Sequence, residues 1–263
     1  MQDRSTGNAF KEDRHFVTAL ARGLEVLACF RTSDRVLGNQ EIARRCGLPK
    51  STVSRLTSTL TRLGYLAQAE GSHKYSLGTA CLRLGSAMLS RLDIRKVARP
   101  LMQELADFSG GTVSLGTRDR FSMIYVEHCR SCAAIALTLD TGSRIPVATS
   151  AIGRAWLAVV PDEERQAFME QVRDVDDMAW PRLRQGIEQG LADHLTLGVT
   201  CSMGEWQPDV NGIARGFEPG HGMPPMAINV GGPSFRLSPS FLLDEVRPRL
   251  LEVVRQLEGS FPR

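Results

Sequence analysis

Apolar residues return at three- and four-residue intervals at Phe16, Val17, Leu20, Leu24, Leu27 and Phe30, the spacing of one helix face. Residues 31–38 are turn-like. Asn39 is placed to cap a second helix over residues 40–46, with Ile42 and Ala43 inward. Gly47 then ends it as a left-handed cap. Leu48 and Pro49 open a third helix over residues 50–62, where proline is tolerated in the first turn. Val53, Leu56, Leu60 and Leu63 line its inner side, and Gly64 stops it. Two short helices joined by a tight glycine turn predict a helix-turn-helix. The period then falls to two. Residues 65–68 and 73–77 read as strands around a Glu70-Gly71-Ser72 loop, a hairpin wing.

Residues 79–94 predict a linker helix carrying Leu82, Leu84, Met88, Leu89 and Leu92. A helix over 95–108 ends at Gly110-Gly111. TVSLGT, SMIYVEH and AAIALTLD read as strands, and TGSRIPVATSAIG as a loop. Helices at about 153–160, 162–173 and 181–192 follow. TLGVTCS, GIARGFE and MAINVGG are strand-like, and a last helix covers 239–258. This order predicts an α+β chain whose second part is an antiparallel sheet flanked by helices. Four regions result: a disordered tail over 1–14, a winged helix-turn-helix over 15–78, the linker over 79–94, and a second domain over 95–263.

The charge pattern gives the first part a partner. From Ile42 to Ala69 there is no Asp or Glu, yet Arg44, Arg45, Lys50, Arg55 and Arg62 fall there. Residues 1–80 carry 12 Lys and Arg against 7 Asp and Glu; the remainder carries 20 against 22. A basic excess confined to one third suits a polyanion. The third helix is also crowded with Ser and Thr, mediocre helix formers. Short hydroxyls let a backbone approach a surface while offering donors, and arginines supply bidentate contacts. Helix propensity given up for a contact face is expected at a functional site. The expected DNA contacts are Arg44, Lys50, Ser51, Thr52, Ser54, Arg55, Thr57, Ser58 and Arg62, with His73 and Lys74 on the wing. A solvated polar face on a core helix is the plainer alternative; the acid-free run and the turn spacing decide for double-stranded DNA.

With 42% hydrophobic and 23% charged residues in 263, the chain has room for two globular domains. Six scattered cysteines and a polar first stretch predict free thiols in a reducing, cytoplasmic setting. No run approaches 18 apolar residues, so no membrane span is expected.

Catalytic motifs are absent: no nucleophile elbow, HExxH, P-loop or GxGxxG occurs. Glu127, His128, Asp140 and Glu205 are the polar residues near predicted strand ends. Cys129 and Cys132 have CxxC spacing, which admits a thiol-redox regulator as the alternative function. With no second ligand pair, neither metal nor cofactor is expected. Ser150 to Ala155 enters a helix, where free N–H groups attract a carboxylate.

Several stretches together carry a family likeness: ALARGLEVLACF, LPKSTVSRLTSTLTRLGYL, KYSLG, RPLMQELADFSGGTVSL, AIGRAWLA and the GGP of NVGGP. In order and spacing the chain resembles the IclR family of bacterial transcriptional regulators from about residue 16 to 258. The resemblance implies a winged helix-turn-helix joined by a helix to a GAF-like effector-binding domain. It implies homodimers or homotetramers that bind operators, most often as repressors, and answer to small organic acids from catabolism. It assigns Ile152, Gly153 and Arg154 to the effector. The late-strand positions that hold a small oxoacid in some members correspond here to Ser202, Gly212, Asn229 and Gly231, which differ from that set. Ser202 and Asn229 are retained as expected effector contacts. The two glycines, with Trp156 and Trp206, point to a bulkier, aromatic acid.

Overall fold

The computed structural model describes residues 15–31, 34–69, 71–89, 94–132, 139–220 and 222–260. The expected tail over 1–14, most of the AAIALTLD strand, Glu70 and the last residues of the linker lie outside them. The chain divides into two compact units between residues 91 and 92.

The first unit packs three helices and a small sheet. Helix α1 is Thr18–Ala28, α2 is Asn39–Cys46 and α3 is Lys50–Arg62. Gly47 adopts φ 65°, the left-handed turn that lets α3 fold back on α2. Ile42, Ala43 and Val53 meet Val26, Leu37, Leu66 and Tyr75 in one apolar cluster. Asn39 is the first residue of α2 and not its cap; Gly38 holds the cap position. The wing strands are β2, Leu66–Gln68, and β3, Lys74–Leu77, and they pair antiparallel. A two-residue strand β1, Leu37–Gly38, adds to the far side of β3; periodicity has no grip on so short a segment. Helix α4, Thr79–Leu89, ends the unit. Leu20 and Leu24 of α1 and Leu82, Leu84 and Met88 of α4 are exposed.

The second unit is built on an antiparallel sheet in the order β6-β5-β4-β9-β8-β7. Its strands are β4 Thr112–Asp119, β5 Ser122–Arg130, β6 Arg144–Pro146, β7 Thr200–Met203, β8 Val210–Phe217 and β9 Met226–Pro233. Strand β6 falls inside a stretch that reads as loop, because three residues ending in Pro carry too little alternation to read. Helix α5, Ile94–Ser109, leads into β4 through Gly110 at φ 68°. Between β6 and β7 lie α6, Ala151–Leu157, α7, Asp162–Val175, and α8, Trp180–Leu197. The closing helix runs from Pro239–Phe241 through one π turn, Leu242–Val246, into Arg247–Ser260. Every residue of α6 is buried, which places this short helix at the centre of the domain.

Candidate nucleic-acid interface and ligand cavity

On α3 the exposed residues Ser51, Ser54, Arg55, Ser58 and Arg62 fall at three- and four-residue intervals. They therefore form one stripe along the helix. Lys50 is exposed at its start and Thr52 is half-buried. Thr57 breaks the expected set. It sits one turn after the buried Val53, so its side chain points into the unit and is fully buried. Its hydroxyl donates to Asn39 Oδ1 at 3.2 Å, which ties α3 to the start of α2. A helical-wheel reading of positions 53 and 57 carries that signal. Thr57→Val should lower stability by about 1 kcal/mol through loss of that bond and leave the operator preference of the folded protein unchanged. Urea unfolding together with DNA titration checks both halves.

The arginines before Gly47 differ. Arg45 is half-buried and bonds to Asp34, Glu41 and the carbonyl of Cys29, so it is a strut of the fold. Arg44 is exposed, with its guanidinium 2.6 Å from Glu41 Oε1. That acid lies one residue ahead of the acid-free run, and the arginine pair holds its carboxyl down at about 2. His73 and Lys74 are exposed on the wing.

In the second unit, a cavity opens between α6 and the middle strands. Its described lining comes from Thr112, Tyr125, Leu139, Ile145, Ser150, Ala151, Ile152, Ser202, Trp206, Val210, Asn211, Gly212, Asn229 and Gly231. It is narrow: about 30 Å³ admits the centre of a water-sized sphere, out of about 400 Å³ of non-atom space that includes open solvent. That room takes about two waters. Tertiary structure brings Ile152, Ser202 and Asn229 together, with both expected glycines and Trp206.

Gly153, Arg154 and Trp156 do not line it. Gly153 donates its N–H to Ser150 Oγ at 3.2 Å, the cap of α6. Its missing side chain has a packing reason, since a Cβ there would lie 2.2 Å from the carbonyl oxygen of Val147. Arg154 is only 2% exposed and runs the other way. Its guanidinium bonds to Ala148 O and Cys201 O at 3.1 Å each and to Glu205 Oε1 at 2.7 Å. It lies over Gly186 and Gly190 of α8, where any side chain would collide with it. Trp156 packs edge-on against Phe168 and lies under the Arg118 guanidinium, 4.9 Å from the ring centre.

Sequence reasoning missed Tyr125, Thr112 and Asn211. Tyr125 stacks on His128 with ring centres 5.9 Å apart, and His128 Nδ1 is 2.8 Å from Ser114 Oγ. Burial pushes the Tyr125 hydroxyl up to about 12, so it stays protonated. Burial also lowers the pKa of His128. No local pattern marks these residues, because they share a wall only once β4, β5, β8 and β9 pair.

The other polar residues near strand ends are held in structural roles. Glu127 is buried between Arg95, at 3.0 Å, and Arg99, at 2.7 Å. Asp140 sits 3.3 Å from Arg130, and Glu205 serves Arg154. Cys129 is 2% exposed and its thiol donates to Arg99 O. Burial raises its pKa, the opposite of what a redox-sensing thiolate requires. Among the described residues no cluster of three His, Cys, Asp or Glu is placed to hold a metal. No helix among them is long and apolar enough to cross a membrane.

A helix-turn-helix with a hairpin wing, followed by a sheet domain with a small uncharged recess, has the make-up of a DNA-binding transcriptional regulator. The family model for the IclR helix-turn-helix domain matches residues 19–70, and that for the bacterial transcriptional regulator IclR C-terminal domain matches residues 86–258. The chain belongs to the IclR family. It is 36% identical over 246 residues to the HTH-type transcriptional regulator TsaQ1/TsaQ2 of Comamonas testosteroni, covering 93% of this chain and 88% of that one. It is 28% identical over 204 residues to the Pca regulon regulatory protein of Pseudomonas putida, covering 70% and 69%. Among solved structures, an IclR family transcriptional regulator from Brucella abortus is 46% identical over 96% of this chain and 95% of that one, with a TM-score of 0.84.

Proposed function

We propose that this DNA-binding regulator represses a catabolic operon at the nucleoid and is governed by a small organic acid taken into the cavity of the second unit. The observation that carries the DNA half is the exposed stripe of Ser51, Ser54, Arg55, Ser58 and Arg62, with no acid on α3. Short hydroxyls there allow close approach to the major groove, and Arg55 at the stripe's centre is set to read a base edge. Arg44, Lys50, Thr52, His73 and Lys74 serve the phosphate backbone or flank it. Thr57, being buried, is withdrawn from the interface.

Two half-sites need two copies. The exposed Leu20, Leu24, Leu82, Leu84 and Met88 supply an apolar surface for a second copy of this chain. A homodimer is the minimal assembly, and a homotetramer pairs two of them. Effector binding would alter the presentation of the two reading helices, which couples cavity to operator.

Arg55→Ala should weaken operator binding by about 1–3 kcal/mol and relax the choice of base at one position. Lys74→Ala should weaken all sequences alike and reduce the salt slope by about one. Titration of labelled operator and scrambled DNA at several salt concentrations measures both. Uniform weakening by Arg55→Ala would remove it as a base reader. For the effector half, a thermal-shift screen against aliphatic and aromatic carboxylic acids is the direct test. A ligand at a hundredfold excess over its Kd raises stability by about 2.7 kcal/mol. Release of operator DNA by the same compound would establish repression lifted by the effector.

A further inference from the structure

Cys29 stands at the C-cap of α1, and Cys46 is the last residue of α2. The two meet at one backbone oxygen. Cys46 Sγ donates to Glu25 O at 3.6 Å, and the backbone N–H of Cys29 donates to the same oxygen at 3.0 Å. A cysteine sulfur is only three bonds from its own backbone nitrogen, so the shared acceptor sets the two side chains against each other. Arg45 ties the same two points together, since its Nη1 donates to Cys29 O at 3.0 Å. Both cysteines pack on the apolar cluster of the first unit, and both are half-buried, within reach of a small oxidant.

The pair holds its protons unequally. The hydrogen bond between the thiols lowers the pKa of Cys46, and that bond, with burial, raises the pKa of Cys29. Cys46 is therefore the member that forms a thiolate more readily, and the thiolate is the nucleophile. Its neighbour Arg45 is held in place by Asp34 and Glu41.

We propose that Cys29 and Cys46 are a peroxide-responsive dithiol whose closure into an intrachain disulfide lowers operator binding. The Cys46 thiolate attacks one oxygen of the hydroperoxide. The O–O bond breaks, an S–O bond forms, and the leaving oxygen takes up a proton. The Cys29 sulfur then attacks the Cys46 sulfenic acid. The S–S bond forms, the S–O bond breaks, and water leaves with the Cys29 proton. Two thiols are oxidised by two electrons and the hydroperoxide is reduced.

The bond reaches α3 along the chain. Cys46 is followed by Gly47 at φ 65°, and α3 begins at Lys50. Disulfide formation consumes the proton that Cys46 gives to Glu25 O, so the bond that fixes the end of α2 is lost. That end is then held through sulfur to the end of α1, and the turn that aims the exposed stripe of α3 moves with it. The cavity of the second unit takes no part, so the proposal stands apart from the effector reading.

The test treats the full-length reduced protein with hydrogen peroxide and maps tryptic peptides without reductant. The expected product joins residues 23–31 to residues 46–50 and is lighter by two hydrogens than the two peptides together. Binding to DNA that the reduced protein has selected from random sequence should weaken at least tenfold, and dithiothreitol should restore it. Cys29→Ser and Cys46→Ser should each remove the linked peptide and the peroxide effect, whereas Cys132→Ser, at an exposed cysteine, should keep both. The mapping uses the natural protein, so it decides even if a serine variant fails to fold. Cross-links only through other cysteines, or between chains, would overturn the pairing. The expected linked peptide with unchanged DNA binding would overturn the switch.

Discussion

Replacing Arg154 with alanine should destabilise the second unit by about 3 kcal/mol, the range for stripping the partner from buried polar groups. The substitution leaves the carbonyls of Ala148 and Cys201 without their donor and opens a void over Gly186 and Gly190. Glu205 is 45% exposed on its side chain and can rehydrate, so the loss comes from the two carbonyls and the packing and not from the ion pair. Urea unfolding followed by circular dichroism measures it. The result also separates two roles. An arginine that held the effector would leave the unfolding midpoint unchanged on removal and abolish the ligand response. An arginine that clamps α6 to β7 and α8 shifts the midpoint first.

The second large effect is expected at Gly153. A Cβ there would stand 2.2 Å from Val147 O and 2.3 Å from Val147 Cα. Both are backbone atoms of the segment entering α6, so no rotamer change relieves the clash. Gly153→Ala should therefore lower stability by about 3 kcal/mol, at or beyond the usual upper end for overpacking. Gly231→Ala is the control. Its Cβ would find Asn229 Nδ2 at 3.4 Å and Asn211 O at 3.5 Å, ordinary contacts. That variant should fold with little loss, under about 1 kcal/mol, and narrow the cavity. Thermal unfolding of both proteins side by side tests the pair; equal losses would refute the distinction.

These two residues show where reading the chain by itself stopped. AIGRA is visible as a helix entrance, and its family likeness assigns Gly153 and Arg154 to the ligand. In the folded unit the two are turned away from the cavity. Ser150 caps the helix, Gly153 presses on Val147, and Arg154 crosses α8 at its glycine pair. Only Ile152 of the three faces the recess. Trp156 is displaced for the same reason: α6 is buried on all sides, so its residues serve several layers and not one pocket.

The reading module was more legible because its rules are local. Gly47 demands a left-handed turn, the interval from Val53 to Leu60 sets the inner side of α3, and the absence of acids marks the outer side. Each of those signals lies within the helix-turn-helix and its wing, without help from distant residues. Thr57 was misplaced only because its type suits a contact face, whereas its position, four residues after Val53, puts it in the core. The stripe, the wing and the antiparallel second domain follow from period, turn residues and charge along the chain. The cavity does not. Its wall draws on residues from Thr112 to Gly231, joined by the pairing of β4 with both β5 and β9. That pairing sets Ser114 directly opposite Asn229 and leaves Asn229 Oδ1 buried without a partner. Local sequence fixes helices and turns because their bonds close within a few residues; which polar atom is left without a partner depends on contacts more than a hundred residues apart, and only the folded sheet decides it.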